Sequence, residues 1–121
     1  MWAADAASKA LGMTLEEYGD GTARLSMMVR DDMVNGHGLC HGGLIATLAD
    51  SAFAVACNSR GVVTVAAGFD VSLLAPAHLG DVLVAQATER LLQGRSGIYD
   101  VTVTRGSDVI AEFRGRSRQL R

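Results

Sequence analysis

Two stretches of the chain hold residue types that could do chemistry. One is the run Asn35-Gly36-His37-Gly38-Leu39-Cys40-His41-Gly42-Gly43; the other is Asp50, the only charge in the apolar segment Leu44 to Cys57. A carboxylate inside an apolar helix carries a large desolvation penalty unless it is paired or neutralised. Its helical neighbours at three and four positions are Ala46, Thr47, Phe53 and Ala54, so a cationic partner has to come from another element or another subunit. Two roles stay open for Asp50: a structural aspartate hydrogen-bonded locally, or a carboxylate held ready to react.

The glycine-rich run delivers unencumbered backbone N–H groups to a helix start, where the helix dipole favours negative charge. Such donors suit a carbonyl oxygen that becomes an oxyanion, and losing one typically raises a barrier by about 2.7 to 4 kcal/mol. An ordinary glycine-rich helix entry is the alternative; the company of Asn35, His41 and Asp50 favours the reactive one. Gly42 and Asp50 lie eight residues apart, roughly 12 Å along a helix rising about 1.5 Å per residue. One chain therefore cannot place both on one small group, and a shared site requires a second copy whose helix runs antiparallel alongside. Cys40 and His41 are sequence neighbours that point apart, which makes Cys40 a packing residue rather than a nucleophile paired with His41. His37 and His78 lack carboxylate or thiol partners at metal-ligand spacing, so no metal site is expected.

The elements that position these residues follow from composition and punctuation. Residues 3–11 form a short helix ending at Gly12. Residues 13–18 and 22–30 flank Gly19-Asp20-Gly21 as a hairpin, the second strand alternating Ala23, Leu25 and Met27 against Arg24, Ser26 and Met28. Beyond the polar loop 31–41 and Gly42-Gly43, a helix runs from Leu44 to near Arg60, apolar nearly all round and hence buried on most sides. Four segments rich in Val, Ile and Thr follow, at 62–74, 81–92, 96–105 and 108–120. The order strand-strand-helix-strand-strand-strand-strand lets a long antiparallel sheet fold around the helix, an α+β arrangement.

Composition bounds the rest. The 121 residues are 49% hydrophobic, enough for one domain over residues 1–121, and 11 basic against 13 acidic side chains give a net charge of −2. No nucleic-acid partner is expected of that balance. The apolar stretch is too short and too charged for a membrane span, no membrane partner is expected, and the N-terminus lacks a secretory pattern. Cys40 and Cys57 form no disulfide framework; a cytoplasmic protein is expected.

Asn35, then His41-Gly42-Gly43, then Leu48-Ala49-Asp50 resemble the signature of hotdog-fold acyl-CoA thioesterases of the phenylacetate-pathway (PaaI) type. The similarity extends to the strand order, the helix end Cys57-Asn58-Ser59-Arg60-Gly61, the Leu74-Ala75-Pro76 turn with Gly80-Asp81, and the hairpin Gly94 to Asp100. The resemblance implies a hotdog fold, a long central helix wrapped by a curved antiparallel sheet, that hydrolyses aryl-acyl-CoA thioesters such as phenylacetyl-CoA or hydroxyphenylacetyl-CoA without cofactor or metal. It implies roles residue by residue. Asp50 is nucleophile or general base, the Gly42 amide polarises the thioester carbonyl, Asn35 orients the attacking water, and His41 supports that arrangement beside Gly43. It also implies dimers with shared sites that pair into tetramers. Ala75 departs from the pattern, since many relatives carry an arginine there, and Arg95 and Arg60 become the candidates for the coenzyme A phosphates. Arg114, Arg116 and Arg118 alternate on the last strand and share its solvent face. Ala46, Ala49, Ala52 and Ala54 leave room for an acyl group or allow close helix packing. Two other functions fit the same fold: a non-catalytic acyl-CoA-binding module, and an enoyl-CoA hydratase or dehydratase using His41 and Asp50.

Overall fold

The computed structural model describes residues 1–120. Six strands, β1 Thr14–Gly19, β2 Thr22–Met28, β3 Thr64–Leu73, β4 Val82–Gln93, β5 Ser96–Arg105 and β6 Asp108–Gln119, form one antiparallel sheet in the order β1-β2-β4-β5-β6-β3. A short helix, α1 (Ala6–Ala10), precedes β1, and the long helix α2 (Gly42–Cys57) lies between β2 and β3. α2 packs on all six strands. Six strands at about 4.8 Å spacing span roughly twice a helix diameter, so the sheet has to curve around the helix to touch it from both edges. The α+β architecture expected from the sequence is the one present. No helix among the described residues is long and apolar enough to cross a membrane.

Periodicity explains the core. β2 buries Ala23, Leu25 and Met27 and turns Arg24, Ser26 and Met28 outward, and β5 buries Tyr99, Val101 and Val103 in the same way. The hairpin between β1 and β2 turns on Asp20 and Gly21, both at positive φ (50° and 84°), the backbone that matches the twist of tightly joined strands. Gly115 of β6 lies under the helix: a Cβ there would stand 2.8 Å from the ring of Phe53, so glycine lets the buried aromatic approach the sheet. Phe53 in turn packs on Tyr99 and Phe113, with ring centroids 5.6 and 5.8 Å away.

One expectation changes. α2 starts at Gly42 and ends at Cys57, so the paired glycines are its first turn, and Asn58 to Gly61 form a turn beyond it. α2 is buried on most sides, as its composition leads one to expect, and one face stays open. Leu48, Ala49, Ala52, Phe53 and Ala56 are fully buried against the sheet, whereas Ala46, Thr47, Asp50 and Ala54 form a half-buried face. Ala49 and Ala52 thus serve close packing, and only Ala46 and Ala54 lie where a ligand could come near.

Candidate active site

The start of α2 presents two backbone amides without acceptors among the described residues. His41 caps the helix in extended backbone (φ −60°, ψ 127°) and makes no side-chain capping bond. Its amide donates to the Met33 carbonyl at 2.8 Å, and the Cys40 amide donates to the Ala77 carbonyl at 2.8 Å, which fixes the entry of the chain. The Leu44 and Ile45 amides donate back to the His41 carbonyl. The amides of Gly42 and Gly43 have no acceptor among the described residues, and at the positive end of the helix they are free to meet an oxyanion.

Asn35 lines the same cavity as Gly42, a recess of about 280 Å³ bounded also by Leu39, Ile45 and the Leu73–Pro76 stretch. Its side-chain oxygen accepts from the amides of His37 (2.9 Å) and Leu39 (3.2 Å), so that half of the side chain holds the loop. The two amide hydrogens of Asn35 remain available to a carbonyl or a water. His41 and Gly43 line a neighbouring recess, with Asp32, Met33, Val34 and Leu44. Cys40 is buried, and burial pushes its thiol up, in keeping with a packing role.

Asp50 sits in another cavity, of about 380 Å³, together with Phe53, Ala54, Cys57, Asn58, Met1 and the Val63–Ala66 stretch where β3 begins. It has no ion pair and no hydrogen-bond donor among the described residues; burial, and then the nearby charge of Asp5, hold its carboxyl above the ordinary carboxylate range. The same neighbourhood pushes the Cys57 thiol up to about 11, burial first and the Asp50 charge among the lesser causes. Asp50 is therefore unpaired among the described residues of its own chain. Because α2 is one continuous helix, Gly42 and Asp50 stay separated by about two turns, roughly 12 Å.

The basic candidates lie elsewhere. Arg60 is held by the Glu89 carboxylate, which also accepts from the Tyr99 hydroxyl at 3.0 Å. Arg95 occupies the turn between β4 and β5 and makes no side-chain ion pair among the described residues. Arg114 and Arg116 pair with Asp100 and Asp70 on the outer face of the sheet, and Arg118 reaches Ser96. No group of His, Cys, Asp and Glu capable of holding a metal ion occurs among the described residues. Sequence reasoning missed the hydrogen-bonded chain from Asp5 through Ser8 to Ser51, the residue that follows Asp50; a serine in a helix carries no signal that it has a distant partner.

A family model described as thioesterase superfamily matches residues 37–112. The acyl-coenzyme A thioesterase PaaI of Escherichia coli (strain K12) is 40% identical over 121 residues, covering 99% of this chain and 86% of its own length. The acyl-coenzyme A thioesterase 13 of Homo sapiens is 33% identical over 107 residues, 84% of this chain and 76% of that protein. Among solved structures, the E. coli PaaI protein from the phenylacetic acid degradation operon superposes with a TM-score of 0.97 at 39% identity, over all of this chain and 88% of that one. A mutant of the phenylacetic acid degradation protein PaaI from Thermus thermophilus gives 0.90 at 35% identity, over 93% of this chain and 97% of that one.

Proposed function

The chain belongs to the thioesterase superfamily, and on that premise we propose that it hydrolyses aryl-acyl-CoA thioesters of the phenylacetyl-CoA type at sites shared between two copies of itself. The chemistry consumes one water, breaks the thioester C–S bond, and releases a carboxylic acid and coenzyme A as its thiol. Asp50 delivers the attack on the carbonyl carbon, directly or through a water. The partner's Gly42 amide receives the oxygen as it becomes an oxyanion. Asn35 of the partner subunit, from the same cavity as that amide, orients the water or the carbonyl. His41 supports the loop that carries them, and Gly43 lends its free amide beside Gly42.

The observation that supports this reading is the split arrangement: an unpaired carboxylate midway along the half-buried face of α2 and two amides without acceptors about two turns away at the helix start. β3 pairs only with β6, and its other edge has no strand partner among the described residues. Val65, Phe69 and Leu73 are exposed along it. An unpaired apolar edge favours pairing with another strand. If two copies of β3 pair antiparallel about Gly68 and Phe69, the start of one strand lies beside the end of the other. The Asp50 cavity at Val63–Ala66 then meets the Gly42 cavity at Leu73–Pro76 of the second copy. The apolar lining around Asp50, with Phe53, Ala54, Val63 and Val65, suits an aromatic acyl group, as do the phenylacetate-pathway names of the relatives. Arg95, and Arg60 once exchanged from Glu89, supply cations for the coenzyme A phosphates. Two such dimers pair into a tetramer.

The direct test is thiol release from phenylacetyl-CoA, hydroxyphenylacetyl-CoA, benzoyl-CoA and short-chain acyl-CoA by the native protein and by Asp50→Asn. Asparagine keeps the shape and removes the charge. Turnover of the aryl substrates that falls at least about a hundredfold in the folded variant is expected. Undiminished turnover by Asp50→Asn would remove Asp50 from the mechanism, and preference for short acyl chains would remove the aryl assignment.

A further inference from the structure

The segment ahead of β1 is latched to α2 at the residue next to Asp50. Asp5 caps α1, its carboxylate accepting from the Ser8 amide at 3.0 Å and from the Ser8 hydroxyl at 2.8 Å. The single hydroxyl hydrogen of Ser8 is committed to Asp5, so at the 2.7 Å contact between the Ser8 and Ser51 hydroxyls it is Ser51 that donates. Both serines are buried, at 3% and 7% exposure, where a hydroxyl stripped of its partner is destabilising. Met1 of the same segment lines the cavity that contains Asp50, and the Asp5 charge reinforces burial in holding the Asp50 carboxyl high. None of these groups has a part in the chemistry proposed above.

We propose that the Ser51–Ser8–Asp5 chain is a positioning device for catalysis: it docks the N-terminal segment as a wall of the Asp50 cavity, holds the Asp5 charge beside it, and so sets the pH at which Asp50 becomes active. The proposal rests on Asp50 being the reacting carboxylate. A base that holds its proton more tightly, while still ionised at the working pH, removes a proton from water or forms a bond to carbon more readily. The titratable groups facing Asp50 are Asp5 on the docked segment and Cys57 on its own helix, whereas Val63–Ala66 of the sheet contribute none. The amino group at Met1 is common to native protein and variants and cancels between them.

Trp2 makes the device measurable. It is the one tryptophan of the chain, lies in this segment and packs against the core, so its emission reports docking. The experiment measures kcat/KM for phenylacetyl-CoA against pH, with Trp2 emission in parallel, for the native protein, Asp5→Asn, Asp5→Ser and Ser8→Ala. Asparagine and serine both cap helices well and both delete the charge. Removing a negative charge near a carboxyl favours its ionised form, so the acid limb is expected to move down by about half a pH unit or more in Asp5→Asn or Asp5→Ser with Trp2 emission unchanged. Ser8→Ala is expected to shift Trp2 emission to the red and raise KM. An acid limb that stays at its native pH in both neutral variants, or that moves only when the emission moves with it, overturns the proposal. Loss of activity in Asp50→Asn alongside such a result would leave Asp50 in its role and discard only the latch, whereas full activity in Asp50→Asn would remove the ground of both.

Discussion

Asp50 is the residue where stability and the proposed function oppose each other. Burial raises its carboxyl above the ordinary range, so the ionised form is the one the fold disfavours. A carboxyl raised in the folded state adds stability below its unfolded pKa, and that contribution is lost as pH climbs through the folded one. At neutral pH the ionised Asp50 therefore destabilises the native chain, and Asp50→Asn is expected to raise the melting temperature while abolishing turnover. The gain should shrink as pH falls below the raised pKa, where Asp50 is itself neutral; thermal melts of both proteins across pH 4 to 8, a window chosen around the carboxylate range, check this. Asp50 was legible in the sequence because a lone charge in an apolar run demands explanation. The loop Asn35–Gly43 was legible because its glycines and polar groups crowd one helix entry. Ser51 was not: its hydroxyl is satisfied by a residue 43 positions away, and no local pattern announces such a pair.

At the scale of elements, the test falls on the first turn of α2. Gly42 is its first helical residue, a position that tolerates proline because its N–H has no intrahelical acceptor. The preceding His41 is already in the extended backbone that proline imposes on its neighbour. Gly42→Pro thus deletes one amide hydrogen with little change to the helix, and a fall in kcat of about a hundredfold or more, with folding retained, is expected. Gly42→Ala keeps the amide, and its Cβ would meet only the end of the exposed Leu73 side chain at 2.5 Å. It should be the milder variant; circular dichroism with steady-state kinetics compares the two. The strands were read closely, β5 at its full extent, because alternation and β-branched residues mark them locally. The helix start was read two residues late because glycine has poor intrinsic propensity, and here the entry bonds from His41 and Cys40 override it. The bulge in β4 between Glu89 and Leu91, and that in β3 between Ala66 and Gly68, left no trace in the pattern, since each merely shifts the register by a residue.

At the scale of the molecule, the proposal gives each copy two incomplete half-sites, one at the start of α2 and one at Asp50 in its middle, and an apolar strand, β3, paired along one edge only. Phe69 lies on that strand, its ring stacked 4.9 Å from Phe113 and still 43% exposed. Phe69→Asp places a charge on the edge and is expected to yield a folded monomer with little thioester hydrolysis, read by light scattering and thiol release. The open face of α2 is what the sequence could not reveal, since an all-apolar helix reads the same whether its sheet or a second chain covers it. Complementation tests the shared site most directly. Asp50→Asn and Gly42→Pro, each inactive alone, are unfolded together and refolded as a mixture. Half of the resulting dimers combine one chain of each kind, and in them one of the two sites carries both lesions and the other carries none. Recovery of about a quarter of native activity is predicted for a two-fold dimer with composite sites. A mixture no more active than its two parents, with mixed dimers shown to form, would contradict it.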